Sequence, residues 1–487
     1  MTDTIDLNDL FALQPLPFDP DTETFDVIVI GAGVVGCALF KTFAENGAKT
    51  LLLEKANDIL EGASKGNSAL LHTGFDAPPE SLELECIKRG YEEFLRIKDE
   101  HNLAYLNTHA LVVAWNDEQL QKLDAILAKG KGNGIKELEL LDPDQIRRRE
   151  PNLSREAKGA ILVHGESVID AWSAPLAYLR VGLAAGGEAV FSAPVTGGFH
   201  DGERWRLETP RGSFRGRLVI NAAGLYGDVV DRIAGFDHWR IIPRKGQFLI
   251  YDKSAYELIR SIILPVPTKI TKGVVLTRTA YGNLLLGPTA EDQESRTDRR
   301  TVRETLRMLQ EKGEAILPGL NEHKVVATFA GLRPASDQPH YRVHRNERGD
   351  WITAGGIRST GLTSALGLAQ HIYELSGLEP RPVEIPRVEV PNISAFGPRD
   401  HERPGYGRMV CHCEQVTERE ILEALEGPTP AGTYGGLRRR TRAVMGRCQG
   451  FNCLADVAAI CKSVKENAAV TPDAPGEPTK NEQEEEA

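Results

Sequence analysis

The chain lacks the features that would carry it into a membrane or onto nucleic acid. No run of 18 apolar residues occurs, so an ordinary membrane-spanning helix is not expected. The opening stretch MTDTIDLNDLFALQPLPFDPDTET is acidic and has no basic start followed by an apolar run, so no secretory leader is read there. There is no excess of basic residues, and no nucleic-acid partner is expected. No internal repeat is visible. Cysteine is nearly missing from the first 400 residues, where Cys37 and Cys86 lie far apart.

What is present describes a globular protein of 487 residues with 41% hydrophobic content. That length exceeds one ordinary core and suggests two to four domains. The net charge of −11 is uneven. Between Val470 and Ala487 stand six acids and one lysine, with prolines and no aromatics, which reads as a disordered tail over about 466–487. A cytoplasmic protein is expected, docked on the inner face of a membrane only through partners.

Phe25 to Lys55 is the most informative stretch. An apolar strand runs straight into Gly31-Ala-Gly33-Val-Val-Gly36. A helix pattern follows to Asn46, Gly47 stops it, and a second apolar strand ends at Glu54. This is a βαβ unit with GxGxxG in the strand-to-helix turn. Gly31 permits the turn, Gly33 lets a pyrophosphate approach the backbone, and Gly36 lets helix and strand pack. The helix N-terminus offers N–H groups to phosphates. Glu54 is placed for a ribose 2′-hydroxyl, which favours FAD or NAD over NADP.

Further along, Ser64 to Gly74 is a small-residue stretch containing Asn67, Ser68 and His72. Helices are expected over 83–102, 117–131, 174–185 and 300–315, and strands over 110–115, 190–199, 205–210 and 216–220. Asn221-Ala-Ala223-Gly224-Leu-Tyr-Gly-Asp228 is a second strand-to-helix turn. Segments 241–252, 261–264, 273–279, 283–286 and 324–333 read as an antiparallel sheet. Trp351 to Ala354 enters Gly355-Gly356-Ile-Arg-Ser359-Thr-Gly361-Leu362-Thr363 and a helix to about Leu375. Residues 380–407, with several prolines, read as a linker.

Histidine titrates near neutrality and suits a base, so His72 is a catalytic candidate. A packed loop histidine is the alternative, and His164 and His344 are read as structural. Arg333 offers a planar fork for an anion. Lys272 and Ser359 are further substrate candidates, with Lys245 a weaker rival for the anion.

The remaining cysteines crowd the end of the chain. Cys411-His-Cys413 and Cys448-Gln-Gly-Phe-Asn-Cys453 are separated by thirty-four residues. Thiolates suit an iron–sulfur cluster or zinc, and the single residue inside the first pair disfavours zinc. Cys461 and Cys37 are read as packing. Arg438, Arg439, Arg440, Arg442 and Arg447 could offset cluster charge, or form a solvated basic face.

The N-terminal fingerprint, GNSALLHTG, NAAGLYGD and GGIRSTGLTSA, in that order, resemble the glycerol-3-phosphate dehydrogenase and L-2-hydroxyglutarate dehydrogenase branch of the D-amino-acid-oxidase-like flavoproteins. VCHCEQVTEREI with LRRRTRAVMGRCQGFNC resembles the bacterioferritin-associated-ferredoxin-like 2Fe–2S domain, in the form found at the end of anaerobic glycerol-3-phosphate dehydrogenase large subunits. The resemblance implies an α/β fold. A Rossmann-like FAD-binding domain (25–104, 160–240 and 335–379) is interleaved with an antiparallel-sheet substrate domain (105–159 and 241–334). A small helical 2Fe–2S domain (408–465) follows the linker, and residues 1–24 form an extension.

By resemblance Gly31, Gly33, Gly36, Glu54 and Lys55 serve the adenosine half of FAD, with Asn67 and Ser68 also on the cofactor. Ala223 and Gly224 lie near the pyrophosphate, and Gly356, Gly361, Leu362 and Thr363 surround the flavin ring. His72 becomes the base beside the flavin. Arg333, Lys272 and Ser359 hold a small anionic alcohol, sn-glycerol 3-phosphate first. Cys411, Cys413, Cys448 and Cys453 hold the cluster, which hands single electrons to a protein or quinone-linked partner. A 2-hydroxy acid or another polyol phosphate is the alternative substrate. A non-catalytic relay or scaffold protein is the alternative of another class, and a zinc docking module the alternative for the cysteines.

Overall fold

The computed structural model describes residues 7–11, 13–16, 18–20, 22–267 and 273–470. Two large sheets divide the chain. The first has eight strands, in the order Gly197–His200, Trp205–Thr209, Gly212–Asn221, Thr24–Ile30, Thr50–Leu53 and Glu188–Val190, with Trp351–Gly355 and then Arg342–Arg345 branching from Gly212–Asn221. Its centre is parallel: Thr24–Ile30 lies between Gly212–Asn221 and Thr50–Leu53. A parallel strand is covered on both faces, hence the apolar run Val27-Ile28-Val29-Ile30. Val27 and Val29 pack against helix Val34–Glu45 and its neighbours Ser173–Ala184 and Gly361–Ser376. Ile28 and Ile30 enter the opposite core with Phe214 and Trp351. Each such fully buried side chain contributes about 1.5–3 kcal/mol.

The second sheet has nine strands, in the order Glu291–Asp292, Ile241–Tyr251, Leu284–Gly287, Val275–Arg278, Ile262–Pro265, Ala110–Ala114, Gly159–Val163 and Leu138–Leu141, with Val325–Ser336 paired to Ile241–Tyr251. It is antiparallel except where Ile262–Pro265 runs parallel to Ala110–Ala114. Gly159–Val163 therefore sits inside this sheet, although sequence reading placed residue 160 onward with the nucleotide domain. Its run of buried apolar residues suits either environment, and its pairing with Ala110–Ala114 is the deciding contact. The expected strand at 190–199 is two short strands in one sheet, interrupted by Pro194. The strand Leu138–Leu141 and helix Pro143–Arg149 were not foreseen. The helix carries a full capping box from Asp142 and Gln145.

At the C-terminal end, strands Met409–Cys411 and Val416–Thr417 precede helices Glu418–Glu426, Tyr434–Thr441 and Leu454–Val470. They share a core of Val410, Val416, Ile421, Leu437, Val457 and Ile460. Leu10 and Phe11 of the N-terminal extension pack against it. The proline-rich 380–407 segment has no strand and only the short turn Asp400–Glu402. It is strapped down: Arg381 N donates to Asn46 O and Val390 N to His101 O, and Arg399 pairs with Glu420 at 2.9 Å. The acidic tail from residue 471 lies outside the described residues.

Candidate active site and cluster domain

A cleft of about 530 Å³ opens between the two large sheets. Its nucleotide end is built by the GxGxxG turn. Gly31 has φ +103°, and a Cβ there would stand 2.7 Å from the carbonyl oxygen of Ala222. A Cβ on Gly36 would fall on the carbonyl oxygen of Gly31. Gly31, Gly33, Glu54, Lys55, Asn67, Ser68, Ala223, Gly224, Gly356, Gly361 and Leu362 all line the cleft. Gly36 and Thr363 stand behind it: Gly36 sets the helix against the turn, and the Thr363 hydroxyl accepts a hydrogen bond from His72 N at 3.0 Å. Glu54 is buried; its Oε2 accepts from Ala32 N at 2.6 Å and its Oε1 from Ala56 N at 2.9 Å. Burial raises its pKa against those hydrogen bonds. Ser64 Oγ accepts from Val34 N, closing one of the free amides at the helix start.

The other end is built by the second sheet. Gly246 pairs with Gly331 and Arg244 with Arg333 across strands Ile241–Tyr251 and Val325–Ser336. Gly246, Phe248, Gly331, Arg333 and Ser359 line the wall. Gly331 is required by contact: a Cβ there would strike the backbone of Gly66. The 66–68 stretch is thereby pinned at the substrate-sheet end of the cleft. Arg333 Nη2 donates to Thr289 O at 2.6 Å, and among the described residues Arg333 forms no ion pair. Burial, reinforced by the neighbouring Arg244, pushes its pKa down to about 10, so it remains a cation. Lys245 does not line the cleft; it is buried on the opposite face, its Nζ 3.4 Å from Arg300 O. Lys272 lies outside the described residues.

His72 is not among the residues lining the cleft, but its backbone is tied to the start of helix Gly361–Ser376 through Thr363. Its Nδ1 is 2.9 Å from Glu166 Oε2. Glu166 is fully buried, and its Oε1 accepts from Thr73 N at 2.6 Å and Thr73 Oγ1 at 2.8 Å. Sequence reading missed this carboxylate. The signal was an acid between small residues in Gly165-Glu166-Ser167, but only the pairing of Leu70–Leu71 with Ser167–Ile169 brings it to His72. His164 and His344 are structural, beside Glu139 at 2.8 Å and Asp231 at 3.3 Å. Arg296 and Arg299 also line the cleft and were not foreseen; Arg296 is held by both oxygens of Asp228.

The C-terminal thiols are adjacent in pairs. Cys413 and Cys448 are within hydrogen-bond reach of each other, as are Cys411 and Cys453. The backbone N–H of Asn452, aided by those of Gly450 and Phe451, holds the Cys448 thiol below its ordinary value. Burial, then the neighbouring Cys411, pushes Cys453 up to about 12. Among the described residues no three His, Cys, Asp or Glu side chains close around a single-ion site. Two pairs of sulfurs with N–H donors aimed at one of them suit a binuclear cluster better than a closed zinc tetrahedron. Cys461 and Cys37 are buried packing residues.

The arginines depart from expectation. Arg439, Arg440 and Arg442 are buried. Arg440 grips both oxygens of Asp58 at 2.8 and 2.9 Å, Arg439 reaches Glu61 at 2.6 Å and Ile59 O at 3.0 Å, and Arg442 pairs with Glu414 at 3.1 Å. Only Arg447 is mostly exposed. Two of these side chains thus clamp the cysteine domain onto the 58–61 loop, one end of which lines the cleft.

A glycine cradle at a helix start, a long cleft between a parallel and an antiparallel sheet, and a paired-thiol domain define a flavoprotein that also carries an iron–sulfur centre. Residues 26–375 match the family described as FAD dependent oxidoreductase, and residues 409–463 match the BFD-like [2Fe-2S] binding domain. The chain belongs to the FAD dependent oxidoreductase family; its cofactors are FAD and a 2Fe–2S cluster. It is 30% identical to a glycerol 3-phosphate dehydrogenase of Caloramator mitchellensis, over 88% of this chain and 92% of that one. It is 24% identical to an anaerobic glycerol-3-phosphate dehydrogenase component of Escherichia coli, over 90% and 88%. A solved L-alpha-glycerophosphate oxidase from Mycoplasma pneumoniae shares the fold, with TM-score 0.72 at 24% identity over 76% of this chain and all of that one. No described helix is long and apolar enough to cross a membrane.

Proposed function

We propose that this FAD-dependent enzyme is a dehydrogenase of sn-glycerol 3-phosphate that passes electrons through its 2Fe–2S centre to a protein or quinone-linked acceptor. The observation that carries the substrate class is Arg333, a half-buried cation in the cleft wall that forms no ion pair among the described residues, the nearby Asp292 being gripped by Arg244. A cation held this way is satisfied by an incoming anion. Oxidising a secondary alcohol to a ketone releases a hydride and a proton. Bound in the cleft, FAD supplies the hydride acceptor. In this reading Nδ1 of His72 donates to Glu166 Oε2, 2.9 Å away, and Nε2 takes the proton of the substrate hydroxyl. Arg333, with Ser359 of the same cleft and Lys272 as a second cation, orients the phosphate. In this reading the protein works in the cytoplasm, at the inner face of a membrane through partner proteins.

The choice of glycerol 3-phosphate draws on the relatives so named. A single guanidinium also fits a carboxylate, and an L-2-hydroxyglutarate dehydrogenase of Indibacter alkaliphilus is 30% identical over 55% of this chain. Anaerobic mixing of the holoprotein with each substrate decides between them. Bleaching of the flavin by sn-glycerol 3-phosphate at low concentration, and not by 2-hydroxyglutarate, is expected; the reverse order would replace the proposed substrate. A relay or scaffold protein would be bleached by neither.

A further inference from the structure

The cleft and the cysteine domain are joined by one run of packed side chains that neither cofactor site accounts for. It starts at the cleft wall. Trp172 Nε1 donates to Lys65 O at 3.2 Å, and Gly66, Asn67 and Ser68 follow directly as cleft-lining residues at the substrate-sheet end. Trp172 stacks on Tyr281, with centroids 5.1 Å apart and planes at 18°. Tyr281 comes from the other sheet, in the turn between Val275–Arg278 and Leu284–Gly287. Its hydroxyl donates to Asp170 Oδ1 at 2.6 Å, and the same oxygen accepts from Trp172 N at 2.9 Å, so one buried carboxylate sets both rings. On the far side of Tyr281 lies the Arg442 guanidinium, its Cζ 4.1 Å from the ring centroid. Arg442 ends helix Tyr434–Thr441 in a left-handed conformation, φ +70°. Its Nε donates to Glu414, the residue after Cys413, and two residues beyond it the Val444 N–H reaches the Cys453 sulfur.

We infer that the Trp172–Tyr281 stack, continued by Arg442, is the electron path from the flavin to the 2Fe–2S cluster. Electron tunnelling weakens steeply with distance and most across gaps, and this run offers packed contact from the cleft wall to the cysteine loops. Hydride transfer must take place at the substrate end of the cleft, which is where the run begins. The elements come from three parts of the fold, and each is fixed by a buried polar contact rather than by apolar packing alone. In each transfer the reduced flavin loses one electron and the oxidised cluster gains one. Two transfers, with the cluster emptied between them by a one-electron acceptor, return the flavin to its oxidised form and release its hydride-derived proton to solvent.

The experiment is laser-flash reduction of the flavin by an external photodonor in the anaerobic holoprotein, following cluster bleaching and its electron-paramagnetic-resonance signal. It needs no substrate, so its outcome is separate from the choice of alcohol. In Tyr281→Leu the missing ring leaves a gap in a close-packed interior, and cluster reduction slows by about tenfold or more. In Tyr281→Phe, which keeps the ring, the rate stays near the parent's, and FAD content, cluster content and cluster potential are unchanged. If Tyr281→Leu does not retain both cofactors, Trp172→Leu carries the same test with the same expected slowing. An unchanged rate in a leucine variant holding both cofactors overturns the inference. An equal fall in Tyr281→Phe also overturns it, by assigning the effect to the hydroxyl–Asp170 bond.

Discussion

At the residue scale the account turns on His72, Glu166 and Arg333. His72→Ala is expected to lower substrate-driven flavin reduction by about 100-fold or more, the ordinary contribution of a general base. Glu166→Gln gives a sharper check. An amide NH2 turned toward Nδ1 favours the other imidazole tautomer and places the proton on the nitrogen that should accept one. A fall of about tenfold or more in the single-turnover rate, with little change in the substrate concentration giving half-maximal rate, is expected by stopped flow. Arg333→Leu should act differently, raising that half-saturating concentration, because the lost contact is to a part of the substrate that does not react. His72 and Arg333 were singled out from the sequence because their types and neighbourhoods carry chemistry. Glu166 was not, since 94 residues separate it from His72 and only strand pairing joins them.

At the element scale, local rules served well wherever periodicity and glycine placement agreed. The first βαβ unit forms as read, with helix Val34–Glu45 directly after Gly33. Local rules did not reveal which sheet a buried strand joins. Gly159–Val163 is an apolar run with no marker of its partner, and it lies in the second sheet through pairing with Ala110–Ala114. The arginine-rich helix Tyr434–Thr441 shows the same limit. Its charges suggested either a solvated face or a cushion for the cluster, and instead Arg440 is buried against Asp58, with side-chain exposures of 6% and 1%. Removing one partner leaves a buried charge unpaired. Arg440→Ala is therefore expected to destabilise the protein by about 3–5 kcal/mol, read as a lower denaturation midpoint with early loss of the cluster's visible absorbance. Replacing both Arg440 and Asp58 by apolar residues of similar size should recover most of that loss.

On the scale of the whole molecule, two sheets enclose the flavin cleft and a third unit is clamped to its nucleotide side. Leu10 and Phe11 at one end of the chain and the strapped 380–407 segment near the other hold that unit in place. The division into a nucleotide half, an antiparallel half and a cysteine module was legible in the order of motifs. How the module sits was not, because its contacts join residues such as Arg440 and Asp58 that are 382 positions apart. Under the proposed function the arrangement separates two events, oxidation of the alcohol in the cleft and departure of single electrons from the cysteine loops. Protein stripped of its cluster by an iron chelator, with FAD retained, should still bleach its flavin with substrate at close to the parent rate and fail to reduce a one-electron protein acceptor. The measurement that bears most directly on the central claim is anaerobic titration of the holoprotein with sn-glycerol 3-phosphate, watching flavin and cluster absorbance together. The account predicts that the flavin bleaches first, that the cluster follows, and that His72→Ala abolishes both. Absence of flavin bleaching by the parent protein at any concentration, with FAD fully bound, would contradict it.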